Sequence, residues 1–285
     1  MSHMPQQKMP GLLALVITLA ILAAARPARA VDAFFDSDAQ TPSPITDYFA
    51  LRVSYLHASA DPELRLDPPG IPLAGTNLSG SRDLGFKSVE NDGLAELMFR
   101  LRDRNRITAD FMELDQAGTR TLNRTITFGD QVYSAGDVVS SALQWRVLGL
   151  RYTYAFIQND RFELAAGIGL HLMDLDMRGN DPIRFANYET SIAGILPTPA
   201  LESAWRITRK ISVTARAEYL RGALNGTSGK LGDFHADAQY RIVPNLSVGA
   251  GYSVVELKLD SVTRSNPGLV GIRLRGPEVF VRASF

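Results

Sequence analysis

Residues 161–172 read Arg161-Phe162-Glu163-Leu164-Ala165-Ala166-Gly167-Ile168-Gly169-Leu170-His171-Leu172. Phe162, Leu164, Ala166, Ile168, Leu170 and Leu172 alternate with Glu163, Ala165, Gly167, Gly169 and His171. Strict period two over this length is a strand pattern, because successive strand side chains point to opposite faces. One face is wholly apolar. The other is small, polar or charged.

The same pattern recurs along the chain. Phe49, Leu51, Val53 and Tyr55 oppose Ala50, Arg52 and Ser54. Ala95, Leu97, Phe99 and Leu101 oppose Glu96, Met98 and Arg100, and Ile107, Ala109 and Phe111 oppose Thr108 and Asp110. In 139–156 the lower half sets Leu148, Leu150, Tyr152, Tyr154 and Phe156 against Gly149, Arg151 and Thr153. Its upper half is out of phase, with Leu143, Trp145 and Val147 as the apolar set, and a β-bulge near Val147 is expected to restore the register. Further strands are read at 195–207, 211–221, 231–242, 246–259 and 271–285. The count is ten, or eight if 86–101 or 195–207 is not a strand.

Short turns alternate with long connections. The short ones fall at 102–105, 158–160, 208–210 and 243–245, the longer ones at about 60–85, 116–137, 177–194, 222–230 and 260–270. The two kinds therefore lie at opposite ends of one antiparallel sheet, as in barrels with short periplasmic turns and long outer loops. Phe99, Tyr154, Trp205 and Tyr240 precede the short turns and form one candidate aromatic ring. Tyr55, Phe111, Trp145, Tyr219, Phe234 and Tyr252 form a second, one strand-length away. Gly129-Asp130 or Ala135-Gly136-Asp137 is expected at the tip of a hairpin in the 119–139 loop.

Lys8, the apolar run Gly11 to Ala24 and the ending Arg26-Pro27-Ala28-Arg29-Ala30 have the layout of a signal peptide cleaved after Ala30. The run is too short for a spanning helix, which needs roughly 20 apolar residues. Residues 1–30 are thus read as signal peptide, 31–47 as an N-terminal arm and 48–285 as the barrel. Lys plus Arg and Asp plus Glu both total 30 in the whole chain, so removing residues 1–30 leaves a slightly acidic remainder. That argues against a nucleic-acid partner. Cys is 0, which excludes disulfides and thiolate metal sites.

Alternation alone does not separate a membrane barrel from a soluble one. Three features favour lipid outside. Gly167, Gly169, Ser212, Ser247, Gly249 and Gly251 stud the polar face, as a crowded lumen requires. Charge is missing from the middle of the apolar face. Aromatics gather toward strand ends.

The final strand carries Val279, Val281, Ala283 and the terminal Phe285 on one face. In this it resembles bacterial outer-membrane β-barrel proteins, whose last strand ends in an aromatic residue. Ala283 stands where that family often has an aromatic residue. The layout is similar to small barrels of the OmpA, OmpW and omptin kind, and closest to uncharacterised proteobacterial outer-membrane barrels. The resemblance implies an antiparallel up-and-down transmembrane β-barrel in the outer membrane of a Gram-negative bacterium. It also implies a monomer in contact with outer-membrane lipid and lipopolysaccharide, inserted by the barrel-assembly machinery that reads Val279, Val281, Ala283 and Phe285.

Twelve charges are assigned to the inward face: Glu96, Arg100, Asp110, Arg151, Glu163, Glu202, Arg216, Glu218, Asp237, Arg241, Glu278 and Arg282. They are expected to form a salt-bridged lumen, with a gated ion path as the other reading. His171 with Asp174 and Asp176 is the candidate catalytic group, since a rim histidine beside a carboxylate can act as a general base. His57-Ala58-Ser59 has the His-x-Ser spacing of outer-membrane lipid A deacylases, though in that family the pair lies on a later strand and is followed by Asn. His235-Ala236-Asp237 is too small a set for a metal, and neither metal nor cofactor is expected. The expected role is structural or binding through outer loops, without enzymatic activity. A rim hydrolase of lipid A or peptides and a narrow solute pore are the alternatives.

Overall fold

Long alternating segments joined by tight polar turns can satisfy their backbones only by pairing with neighbours, and here every neighbour is antiparallel. The computed structural model describes residues 43–68, 75–128, 131–181, 186–224, 227–261 and 268–285. The calls on residues 1–30, on most of the 31–47 arm and on Gly129-Asp130 lie outside them.

The elements are β1 (Phe49–Ala60), β2 (Glu63–Leu66), β3 (Leu78–Ser79), α1 (Gly80–Asp83), β4 (Val89–Arg102), β5 (Asn105–Thr121), β6 (Ile126–Phe128), β7 (Gln131–Tyr133), β8 (Val138–Gln158), β9 (Phe162–Asp181), β10 (Ala186–Arg206), β11 (Ile211–Leu224), β12 (Thr227–Val243), β13 (Leu246–Ser261) and β14 (Gly268–Ser284). Ten of them pair in the order β1-β4-β5-β8-β9-β10-β11-β12-β13-β14, and β14 returns to β1. The closing register runs from Ala50↔Ser284 to Ala60↔Leu274. No edge remains, as lipid requires. At the seam Gly276 lies so close to the His57 carbonyl that a Cβ would sit 2.0 Å from its oxygen. Only glycine permits that approach. No helix among the described residues is long and apolar enough to cross a membrane.

The strands outrun the sequence reading. Pairing of β9 with β10 continues from Trp205↔Phe162 to Ala186↔Asp181, through most of the stretch read as a loop at 177–194. Likewise β11 pairs with β12 as far as Leu224↔Thr227, and β13 with β14 as far as Ser261↔Gly268. The upper strand ends stand above the apolar band, where alternation persists but its polarity is inverted. Along β9, Met173, Leu175 and Met177 are buried inside. Asp174 and Asp176 face out, where Arg146 pairs with them.

This inversion replaces the bulge expected near Val147. The β5–β8 register runs unbroken from Asn105↔Tyr154 to Thr121↔Val138. The β8–β9 irregularity falls between Ala155 and Ile157 instead. Leu143, Trp145 and Val147 continue the inward row of Gly149, Arg151 and Thr153 rather than shifting face. Trp145 is 0% exposed and therefore not part of an aromatic ring. The outer band is built from side chains such as Val53, Leu150, Ile168, Leu170, Val279 and Val281, between Tyr154, Trp205 and Tyr240 below and Tyr55, Tyr219, Phe234 and Tyr252 above.

Two outer loops fold down onto the inward row. Leu64, Leu78, Leu84, Phe86, Leu122, Ile126 and Phe128 pack with Leu56, Leu114, Leu143, Trp145, Leu175, Leu257, Ile272 and Leu274 in one buried cluster. The loops are stitched to each other. Thr76 and Thr127 exchange bonds at 2.9 Å, and the Arg124 guanidinium donates to the Asn77 carbonyl at 3.1 Å and to Asp83 at 3.3 Å. An apolar plug thus closes the outer end of the barrel. Burying each large side chain contributes roughly 1.5–3 kcal/mol.

Trp145→Ala should lower stability by about 3–5 kcal/mol. The check is the denaturant midpoint at which the compact, fast-migrating gel form is lost. A change below about 1 kcal/mol would mean that the indole is not held in a packed plug.

Candidate functional site

Below the apolar plug, inward positions come from all ten barrel strands, and the structure places all twelve assigned charges on them. The register explains how they meet. Glu96 lies across from Asp110 and from Arg52, Glu202 across from Arg216, and Arg216 across from His235.

Arg151 is the hub. Its guanidinium bonds Glu202 and Glu218 and lies 3.5 Å from Asp110 and 3.8 Å from Glu96. Arg216 adds Glu96 at 2.7 Å and Asp233 at 3.3 Å. On the facing wall Arg52 holds Asp237 at 2.7 Å and Glu278 at 2.5 Å, with its guanidinium carbon 3.6 Å from the centre of the Phe280 ring. Such forked, delocalised cations suit several carboxylates at once, and they stack on aromatic faces. Thr153 donates to Glu202 at 3.1 Å, Thr198 to Glu218 at 2.7 Å and Thr214 to Asp237 at 2.8 Å.

A lower tier closes the end of the barrel at the short turns. Residues 43–47 form a turn, with Asp47 N–H donating to the Ser43 carbonyl at 2.8 Å, and the turn sits inside the barrel mouth. Ser43, Ile45 and Asp47 are buried. Arg100 donates to the carbonyls of Asp47 at 3.0 Å and Pro44 at 3.2 Å, and to Glu163 at 3.1 Å. Arg282 grips the Asp47 carboxylate, and Arg106 meets Glu163. Arg241 donates to the Pro244 carbonyl at 3.1 Å. Burial pushes the Asp47 carboxyl up, and Arg282 opposes that shift. Between the tiers a cavity of about 100 Å³ remains, lined by Arg52, Glu96, Arg106, Arg151, Glu202 and Arg216 among others.

The catalytic candidates do not come together. His171 is buried and faces inward, 3.0 Å from Glu218 and 3.1 Å from Thr198. Asp174 and Asp176 differ from it in strand parity and occupy the outer face, on Arg146 at 2.6 and 3.1 Å. A general-base pair of His171 with either aspartate is therefore excluded by the sheet itself. His57 and Ser59 both lie on the exposed face, where His57 Nδ1 is 2.7 Å from the Asn91 side-chain oxygen. His235 and Asp237 do share the lumen face, but they use different partners. His235 lies 2.7 Å from Asp233 and 2.7 Å from Ser253, while Asp237 takes Arg52. Among the described residues no group of three His, Cys, Asp or Glu side chains could hold a metal.

Sequence reading missed Arg52, Arg106, Asp47 and Asp233 as members of this network. Arg106 fell just before a strand read from Ile107, although Asn105 already pairs with Tyr154. Asp47 fell in the arm. Parity could have found Arg52 and Asp233, which share the inward face with Ser54 and His235.

A closed ten-stranded antiparallel sheet, apolar outside and ionic inside, is a β-barrel of the outer-membrane kind. Among solved structures the chain is similar to the outer-membrane protease OmpT of Escherichia coli, at TM-score 0.52 and 9% identity over 86% of this chain and 99% of that one. A FadL homologue of Pseudomonas aeruginosa matches 88% of this chain and 94% of its own, at 11% identity and TM-score 0.37. The Yersinia pestis attachment invasion locus protein Ail matches 81% and 98%, at 9% identity and TM-score 0.33. At these identities the likeness concerns the fold alone. No protein-family model and no curated protein matches the chain in sequence.

Arg151→Ala strands buried carboxylates and should cost about 3–5 kcal/mol in unfolding experiments. Arg146→Gln, at an exposed pair, should cost about 1 kcal/mol or less. Equal effects of the two substitutions would contradict a buried network centred on Arg151.

Proposed function

We propose that this protein is a sealed, non-conducting barrel of the outer membrane that works through its outer end, as a structural or binding element. One observation carries the reading: the interior is filled at three successive levels, by the apolar plug under Trp145, the Arg151 network and the 43–47 turn. A ten-stranded barrel is narrow enough for side chains to fill it. Buried ion pairs of this density stabilise one arrangement, because removing any partner leaves a desolvated charge. A solute pore would need a continuous polar path, and Leu143, Trp145 and Leu175 lie across it. A rim hydrolase built on His171 with Asp174 and Asp176 does not assemble, because His171 faces inward on Glu218 and the aspartates face outward on Arg146.

The chain would reach this place as an exported precursor cleaved after Ala30. Val279, Val281, Ala283 and Phe285 would serve as the assembly signal, and the folded protein would be a monomer. What supports the signal role is that Val279, Val281 and Phe285 present exposed apolar side chains at the closing seam.

Purified, folded protein in planar bilayers should give no conductance steps above background. N-terminal sequencing of the same preparation, taken from outer membranes, should begin at Val31. Regular steps abolished by substitutions at Arg151 would contradict the sealed lumen.

A further inference from the structure

Just above the upper aromatic ring, two rows of outward charge differ in kind. Across β5, β8 and β9 the register sets Glu113 opposite Arg146 and Arg146 opposite Asp174. The signs alternate, and the row is satisfied internally: Arg146 pairs with Asp174, and Gln144 donates to Glu113 at 2.8 Å. Across β11, β12 and β13 the register sets Arg221 opposite Lys230 and Lys230 opposite Lys258. Like charges directly across a ladder destabilise it. Arg273 and Arg275 extend the same surface on β14.

The local acids do not neutralise this surface. Glu256 accepts from Lys230 at 2.8 Å and from Arg273 at 3.1 Å. Asp260 lies 3.8 Å from Arg65, which Asp67 also holds at 3.0 Å. Glu63 stands across Gly271 from Lys258 without an ion pair to it among the described residues. Arg221, Lys258 and Arg275 are exposed and have no acidic partner among the described residues.

Depth gives the second observation. Tyr219 lies two residues below Arg221 on the same face, and its ring centre is 5.9 Å from the Lys230 ammonium. On their own strands Arg221 lies two residues beyond Tyr219, Lys230 four beyond Phe234 and Lys258 six beyond Tyr252, so at a rise of about 3.4 Å per residue the cations begin roughly 7 Å along the strand from the aromatic ring and reach about 20 Å. Aromatic rings mark the hydrocarbon boundary, so this is headgroup level. Tyr219, Phe234 and Tyr252 offer exposed apolar surface directly beneath.

We propose that Arg221, Lys230, Lys258, Arg273 and Arg275 hold the phosphates of an outer-leaflet lipid headgroup, with its acyl chains lying over Tyr219, Phe234 and Tyr252. The anion supplies the countercharge that the ladder lacks. The opposite side of the barrel, with its alternating Glu113-Arg146-Asp174 row, has no such need. The inference rests on the reading of the apolar band as membrane-embedded.

The test uses full-length mature barrel in neutral detergent, with binding read by native mass spectrometry. The probes are bis-phosphorylated lipid A, the same lipid without phosphates and inorganic pyrophosphate. The wild-type protein should prefer the phosphorylated lipid by on the order of tenfold or more. Arg221→Gln/Lys258→Gln/Arg275→Gln should abolish that preference, and Arg146→Gln should keep it. Glu256→Gln, which removes the one shared acid, should tighten phosphorylated-lipid binding several-fold, so the proposal stays testable even if the triple variant does not fold. Retained preference in the folded triple variant, or weaker binding by Glu256→Gln, would overturn it. So would pyrophosphate binding as tightly as the lipid, which would mark a site for free anions. Insertion into liposomes is measured in parallel. Failure to insert overturns the membrane reading itself, whereas insertion without phosphate preference overturns this site alone.

Discussion

Inside a hydrocarbon layer an unpaired backbone N–H or C=O costs several kcal/mol, so the sheet has to close and β1 has to meet β14. Closure fixes more than the outline. Each side chain of a closed sheet has two directions to point, in or out, and its parity holds along the strand unless a bulge intervenes. The environment on either side changes at the membrane surface, while the parity does not. In the membrane zone the outward set must be apolar and the inward set packed. Above it the outward set meets water, and the inward set is free to become the hydrophobic core. Trp145 and Arg151 occupy one inward row of one strand and serve opposite chemistries, because they lie at different heights.

The crowding of the lumen explains its small residues. A Cβ on Gly169 would stand 2.1 Å from a Glu218 carboxylate oxygen, and one on Gly249 would stand 2.2 Å from the Phe280 ring. These glycines make room for the long acids, the arginines and the aromatic platform under Arg52. The network in turn gives the narrow interior one preferred arrangement. Replacing such pairs by apolar residues can be neutral or even stabilising in other proteins. Their use here is therefore better matched to filling and sealing than to stability alone. The 43–47 turn adds a covalently attached stopper, held by backbone carbonyls to Arg100 and by its own Asp47 to Arg282.

Much of this was legible in residues. Alternation at 161–172 and its repeats carried the strand count, and the short turns carried the up-and-down order. The inward parity of Glu163, Arg151 and Glu218 was readable for the same reason. Two things were hidden by one assumption, that apolar means outward. It turned the phase change at Val147 into a bulge and put Trp145 in a lipid-facing ring. It also ended the strand pattern at 172 and put Arg178 in a loop, when Asp174, Asp176 and Arg178 are the wet face of a strand whose dry face is Met173, Leu175 and Met177. The separation of His171 from the two aspartates follows from parity as well, which the idea of a rim cluster had overridden. Long-range partners such as Arg52 with Glu278 and Arg100 with Pro44 depend on barrel curvature, and no local pattern encodes that.

The account turns on the polarity inversion along a strand of constant parity. The chain has no native cysteine, so single-cysteine spin labels along β8, from residue 143 to residue 156, can read it directly in lipid vesicles. At even positions the label should report lipid-phase oxygen from 148 to 156 and aqueous relaxant at 144 and 146. At odd positions it should be shielded from both throughout. Aqueous access at 143, 145 and 147, or lipid contact at 145 with water at 144 and a register break between 147 and 149, would contradict the inversion and restore an open or bulged barrel.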